Sequence, residues 1–308
     1  MNLMKAIVKQ SPASNDFAFT RIPIPEICEN EMLIHVKAIG VGIHDGYFLP
    51  ANIQYPYPIG IEAAGVIVKT GNNVTNFQEG ERITFVSMMQ PKGGTWAEYA
   101  VVADNSLIIP IPEKMTFTEA AAIPVAGNTA LKAFHSLQLK PNNTLFIAGS
   151  SGAIGTFAIQ MAVDKECIVA GSASKRNHDY MTSLGASKVV DYNNPDWIEE
   201  IKQWHPGGVD AALAIQPNTG ITSMEVVKNG GQIISISGDQ LFSQRNITVE
   251  QLAYHIDVKD ELKQIMNKIN FGEFKLVIEK VYPFENGIEA LQKTNSRRAR
   301  GKVVITMP

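Results

Sequence analysis

The sequence predicts an α/β protein: a doubly wound parallel sheet in the middle of the chain, after a β-rich first third. Three observations predict it. Short apolar runs and helical patterns alternate from residue 144 to residue 236. A glycine-punctuated stretch, Gly149-Ser150-Ser151-Gly152-Ala153-Ile154-Gly155, joins the first of these runs to the first helix. Before residue 113, strand-like runs recur between clusters of Gly, Pro and Asn. The alternation is the pattern of βαβ units, and evenly spaced short strands are that of a partly closed barrel or sandwich.

Composition bounds the rest. The chain has 308 residues, enough for two domains. It is 45% hydrophobic and 19% charged, as in ordinary globular proteins, and its net charge is −3. No basic field invites nucleic acid, and no Lys/Arg cluster suggests a membrane surface. No apolar run approaches the ~18 residues of a membrane span. The start, Met1-Asn2-Leu3-Met4-Lys5-Ala6-Ile7, lacks the long apolar segment and cleavage site of a signal peptide, so the cytoplasm is the expected compartment. The two cysteines, Cys28 and Cys167, cannot form a multi-cysteine zinc site and are expected as free thiols.

In chain order, Lys5–Val8, Met32–Ile39, Ala64–Lys69, Arg82–Phe85 and Ala97–Val102 read as strands. Pro23-Ile24-Pro25, Gly71-Asn72-Asn73 and Pro91-Lys92-Gly93-Gly94 separate them. Thr116 and Thr118 offer caps ahead of Glu119-Ala120-Ala121-Ala122, and Val125–Leu139 reads as a helix. Then strands at 144–149, 167–171, 188–190, 209–214 and 231–236 alternate with helices at 152–164, 175–184, 195–204 and 219–228. The tail predicts a helix over Asp257–Phe271, a strand over Lys275–Val281, a helix over Pro283–Lys293 and a last strand over Gly301–Thr306.

Chemistry enters at the glycines. Leu145–Ala148 has the length and composition of a buried parallel strand, and Ile154, Phe157, Ala158, Met161 and Ala162 follow at helical spacing. Strand, glycine turn and helix form the context of a dinucleotide-binding fingerprint. Missing side chains let the backbone approach a pyrophosphate, and the helix N-terminus offers N–H groups and partial positive charge. Read strictly as G-x-G-x-x-G, the first position is Ser150, with Gly149 just before it. The second strand of such a Rossmann sheet usually ends in an acid for the ribose 2′-hydroxyl, about 20 residues past the glycines. Here the strand runs into Gly171-Ser172-Ala173-Ser174-Lys175-Arg176, two hydroxyls and two cations with no acid. That inventory suits a phosphate dianion and points to NADPH. The other reading is a polar turn with Ser174 as N-cap and both cations solvated. Tyr192, after the strand Lys188-Val189-Val190, is placed to pack on adenosine.

With these residues in hand, the chain resembles the medium-chain dehydrogenase/reductases, and among them the zinc-free quinone oxidoreductases that include ζ-crystallin. The matching pieces run along nearly the whole chain: Gly40-Val41-x-x-x-Asp45, Gly60-x-Glu62-Ala63-Ala64-Gly65-Val66, Gly80-Glu81-Arg82, Gly93-Gly94-Thr95-Trp96-Ala97-Glu98-Tyr99, Gly127-Asn128-Thr129-Ala130, the glycine turn, Leu184-Gly185-Ala186 and Gly301-Lys302-Val303-Val304. Each is weak alone; their order and spacing together are specific. The resemblance implies a Rossmann domain at 124–265 inserted in a GroES-like β-barrel domain at 1–123 plus 266–308. It implies an active site in the cleft between the two, and a homo-oligomer, expected as a dimer.

It also sets expectations for the site. Zinc-dependent relatives hold the metal through a Cys and a His in segments that match Gly40–Asp45 and Gly60–Gly65. Here those positions are Gly42 and Ile61, which cannot ligate, so no metal is expected. Without a Lewis acid, the remaining chemistry is hydride delivery from NADPH to an already electrophilic small molecule, a quinone or α,β-unsaturated carbonyl. The rivals are an enoyl-thioester reductase and a weakly active NADPH-binding redox sensor or structural protein. Asp45 and Tyr47 match cleft residues near the nicotinamide, with Tyr47 as proton donor and His44 beside it. His44 also reads as a surface-loop histidine. An asparagine often found before them is Gly42 here. Thr129 is expected at the nicotinamide ribose or amide. Gly149, Ser150, Ser151, Gly152, Ala153, Ile154 and Gly155 are expected at the pyrophosphate. Ser172, Ser174, Lys175 and Arg176 are expected at the 2′-phosphate, and Gly238 over the cofactor. Phe48, Met88 and Met89 are apolar candidates for the cleft wall.

Overall fold

The computed structural model describes residues 2–13, 15–51, 53–87 and 89–308; Met88 therefore lies outside the described residues. The chain divides into two compact units, Met1–Val125 with Leu262–Pro308, and Ala126–Glu261.

The first unit begins with β1 (Leu3–Lys9), β2 (Phe17–Pro23), β3 (Glu31–Val41), β4 (Tyr57–Pro58), β5 (Glu62–Thr70), β6 (Arg82–Val86), β7 (Tyr99–Ala103), β8 (Ile108–Pro110) and α1 (Phe117–Ala121). Thr116 and Glu119 close a reciprocal capping box that starts α1: Thr116 Oγ1 accepts the Glu119 N–H, and the Glu119 carboxylate accepts the Thr116 N–H. β3 alternates from Glu31 to Ala38, with Met32, Ile34, Val36 and Ala38 buried, and is then buried at every residue through Val41. Its long inward face explains why it is central, pairing with β5 along one side and with β7 and the chain's last strand along the other. One sequence signal was too weak to read. β2, with Phe17, Phe19, Arg21 and Pro23 at alternate positions, is half-exposed and pairs only with β1. Its register comes from that pairing and not from a buried face.

α2 (Pro124–Leu137) leads into the second unit. Proline at the first helical position loses no hydrogen bond there. β9 (Thr144–Ala148), α3 (Ala153–Asp164), β10 (Ile168–Ala173), α4 (His178–Ser183), β11 (Lys188–Asp191), α5 (Trp197–Trp204), β12 (Val209–Ala214), α6 (Gly220–Glu225), β13 (Val227–Ser235) and β14 (Thr248–Glu250) follow. All six strands are parallel, in the order β11-β10-β9-β12-β13-β14. β9 is buried at every residue, as its unbroken apolar run requires. Two of the boundaries that differ from expectation have a local cause. The helix predicted over 219–228 ends at Glu225 because Val226 and Val227 bury in the core and Val227 opens β13. A turn of 3₁₀ helix at Lys175–Asn177 precedes α4, where a continuous helix is expected.

The chain returns to the first unit along α7 (Lys259–Asn270), then β15 (Ile278–Pro283), α8 (Gly287–Asn295) and β16 (Lys302–Thr306). The helix expected from Pro283 is delayed by a 3₁₀ turn at Phe284–Asn286, which sinks Phe284 fully into the core. That core also holds Ile7, Ile34, Ile39, Phe85, Trp96, Leu291 and Ile305. Among the described residues no helix is long and apolar enough to cross a membrane.

Candidate active site

In the second unit, strand order reverses on either side of β9, whose neighbours are β10 and β12. Crevices outside the carboxyl ends of strands at such a point take ligands in open α/β sheets. The glycine turn stands there. Gly149 has φ +85, and a Cβ on it would come within 2.6 Å of the Gln216 side chain. Gly155 is needed for packing: a Cβ there would lie 2.5 Å from Ser150 Cα. Gly152 is the N-cap of α3, and no side chain caps this end; a Cβ there would meet only the Gly149 carbonyl, at 3.5 Å. Ala153 and Ile154 form the first, half-buried turn. The result is a bare backbone cradle at a helix N-terminus, and it fits a pyrophosphate.

Two of the serines expected at the cofactor are buried. Ser150 is fully buried, and its hydroxyl donates to the Ser172 carbonyl at 2.9 Å while its N–H donates to the same oxygen at 3.2 Å. Ser150 therefore fastens the glycine turn to β10, and its side chain is spent inside the fold. Ser172 is itself buried in β10. The groups left on the outside are Ser174, half-buried, and Lys175 and Arg176, both exposed. Asn177, which sequence reasoning missed, braces this turn. Its amide donates to Ser151 Oγ at 3.1 Å and to Ser174 Oγ at 3.3 Å.

β10 ends without an acid, but the neighbouring strand ends in one. Asp191, the last residue of β11, is in register with Ala173, the last residue of β10. Its Oδ1 accepts the Asn193 N–H at 2.9 Å and the Asn193 amide at 2.8 Å. The Asn193 N–H first, then its amide, the nearby Lys175 N–H and the charge of His178, hold the carboxyl below the usual range. Tyr192, next in the chain, is 57% exposed. At the far end of the crevice, Gly238 has φ +81 and open space where a Cβ would be. Asp239 holds that loop by accepting the N–H groups of Asn218 at 3.0 Å and Gly220 at 2.9 Å. Thr129 lies within α2, in the segment expected as helix over Val125–Leu139.

In the first unit, loop 42–48 follows β3. Asp45 is buried, and Oδ2 accepts the Gly42 N–H at 2.9 Å and the indole N–H of Trp96 at 3.1 Å. Oδ1 has no hydrogen-bond partner. Burial pushes this carboxyl up to about 7, against the Gly42 N–H and the Lys302 charge, which pull it down. Asp45 is thus enclosed, and it holds loop 42–48 through these bonds. His44 and Tyr47 are on the outside. The Tyr47 hydroxyl and His44 Nδ1 are 2.6 Å apart, with the rings edge-on at 75°. Lost solvent on the ring's inner side, then the charges of Arg297 and Lys302, hold the His44 imidazole below its ordinary range. A neutral ring with its proton on Nε2 accepts the Tyr47 proton at Nδ1. Phe48 lies 6.1 Å from the same ring, and Met89 is exposed.

Beneath the loop, Glu62 is buried and bonded on both oxygens. Oε1 pairs with Lys302 Nζ, and Oε2 accepts the Val125 N–H at 2.7 Å, at the start of α2. Ile61 is buried and Gly42 has no side chain, so neither offers a metal donor. With Asp45 and Glu62 already engaged, the residues around this loop do not fit a zinc site. Among the described residues no three His, Cys, Asp or Glu side chains group together for a metal.

These features are those of a nicotinamide-dinucleotide oxidoreductase, and comparison with known proteins agrees. Residues 28–113 match the alcohol dehydrogenase GroES-like domain, and residues 184–305 match the zinc-binding dehydrogenase domain. The chain is 28% identical to the quinone oxidoreductase of Sus scrofa, over 93% of this chain and 91% of that one. It is 28% identical to the chloroplast envelope quinone oxidoreductase homolog of Arabidopsis thaliana, over 92% of each. The structure of the quinone oxidoreductase from Coxiella burnetii superposes with a TM-score of 0.88 at 25% identity, over 100% of both chains. The chain belongs to the medium-chain dehydrogenase/reductase superfamily, with quinone oxidoreductases as its homologues.

Proposed function

We propose that this chain is an NADPH-dependent reductase that delivers hydride to a quinone or an α,β-unsaturated carbonyl without zinc. The observation that carries the reading is the donor set of loop 42–48. Gly42 and Ile61 supply no metal ligand, whereas Tyr47 is 61% exposed and its hydroxyl is hydrogen-bonded to His44. When bound, the reduced nicotinamide supplies the hydride. The chain's own tasks are to hold the dinucleotide and deliver a proton. The bare turn from Gly149 to Gly155 receives the pyrophosphate. Ser174, Lys175 and Arg176 receive the 2′-phosphate. Tyr192 packs on the adenosine, Gly238 leaves room over the cofactor, and Thr129 contacts the nicotinamide ribose or amide. Tyr47 gives its proton to the reduced acceptor, and His44 holds the phenol in place between turnovers. The protein works as a homodimer in the cytoplasm.

The test is steady-state oxidation of NADPH and of NADH against a panel of quinones and enals. Turnover with a quinone or an enal, at a lower KM for NADPH, is expected. No turnover with any acceptor, despite tight NADPH binding, would instead make the chain a redox sensor or structural protein. Stoichiometric zinc in the active enzyme would overturn the zinc-free chemistry. Sedimentation equilibrium tests the dimer, and cell fractionation tests the compartment.

A further inference from the structure

The turn at residues 174–177 carries two cations, but it is built against an anion. Asp191 ends β11 in register with Ala173, two residues before Lys175, whose backbone N–H helps hold the carboxyl below its usual range. The carboxylate therefore stands at the strand end beside the turn that carries Ser174, Lys175 and Arg176. It is bonded firmly there, to Asn193 through both the backbone N–H and the side-chain amide. His178, whose Nε2 lies 3.2 Å from the Ala173 carbonyl, is the other titratable group facing it. A phosphate held at this turn meets two cations and one fixed carboxylate, not two cations alone.

We propose that Asp191 is the specificity-determining residue of cofactor choice, a fixed negative charge that opposes the 2′-phosphate and so sets how far NADPH is preferred over NADH. The inference rests on the reading of residues 172–176 as the 2′-phosphate loop. A carboxylate repels a phosphate dianion, whereas a ribose 2′-hydroxyl can donate to it. The charge and the turn's shape can be separated. In Asp191→Asn the side-chain oxygen can still accept from the Asn193 N–H and amide, and only the charge is removed.

The experiment is calorimetric titration of the full chain with NADPH, NADH, 2′,5′-ADP and 5′-AMP. In D191N the ratio of NADH to NADPH dissociation constants should rise by about three- to tenfold, the range for one partly screened charge pair. Affinity for 2′,5′-ADP should rise by the same factor, with 5′-AMP unchanged or weaker. At about 0.5 M salt most of the gain should disappear, because exposed charges are then screened. Asp191→Ser, which keeps a short acceptor, should move the ratio in the same direction and guards against a folding defect in D191N. A ratio unchanged within about twofold in both variants, or equal weakening of all four nucleotides, would overturn the proposal. A wild-type chain that binds NADH more tightly than NADPH would overturn the NADPH reading, yet the D191N ratio would still decide the role of Asp191.

Discussion

Replacing Lys302 by Met should cost the first unit about 3–5 kcal/mol, the penalty for leaving one partner of a buried ion pair alone. The side chains of Glu62 and Lys302 are 1% and 6% exposed, so water cannot replace the lost ammonium. After the change Glu62 retains only the Val125 N–H at 2.7 Å, which cannot neutralise a full charge. Nor can the carboxylate move aside. A Cβ on Gly40 would already lie 2.8 Å from it, which shows how closely β3 packs over it. Methionine fills the volume of the lysine stem, so the loss is electrostatic and not a cavity. Calorimetric melting should show a fall of roughly 6–20 °C at 2–4 °C per kcal/mol. The double variant E62Q/K302M should recover much of this, since a neutral amide can still accept from Val125 and nothing charged remains buried. Hydrogen-exchange protection in β3, β5 and β16 should fall in the single variant and return in the double. A loss below about 1 kcal/mol in K302M, in the range of exposed pairs, would refute the argument that the pair is desolvated.

Three further outcomes are expected. Asp45, raised from 3.8 to about 7, stays protonated in the fold across a range where the unfolded chain has ionised. Stability should therefore be complete below about pH 4, decline as pH rises to about 7 and then level off, a span of about 4 kcal/mol. Asp45→Asn should flatten that decline in urea midpoints measured from about pH 4 to 8, and parallel curves for the two proteins would contradict the protonated Asp45. Tyr47→Phe should lower kcat with a quinone by about a hundredfold while leaving NADPH affinity intact, whereas His44→Asn, which keeps an acceptor near the phenol, should lower it far less. Gly155→Ala should weaken NADPH and NADH together by tenfold or so in equilibrium titrations, because its Cβ would meet the Ser150 backbone at 2.5 Å and displace the glycine turn.

What the sequence by itself determined is local and periodic. The unbroken apolar run of β9, the helical spacing of α3 and the glycines between them specify a strand–turn–helix wherever the rest of the chain goes. The missing ligands at Gly42 and Ile61 were equally legible, because a side chain without donor atoms needs no structure to exclude it. β2 and β14 were not, since half-exposed strands take their register from a neighbour and carry little pattern of their own. Only the tertiary structure decided which side chains face out. It spent Ser150 and Asp45 inside the fold, although both lie in segments that read as ligand-binding. It paired Glu62 with Lys302, 240 residues away. It also brought Asp191 beside the Lys175 turn, through parallel pairing of β10 and β11. A search for an acid along β10 alone could not find it. The physical reason is common to all three. Burial and charge pairing depend on which strands lie side by side, and sheet order is not written in any one strand.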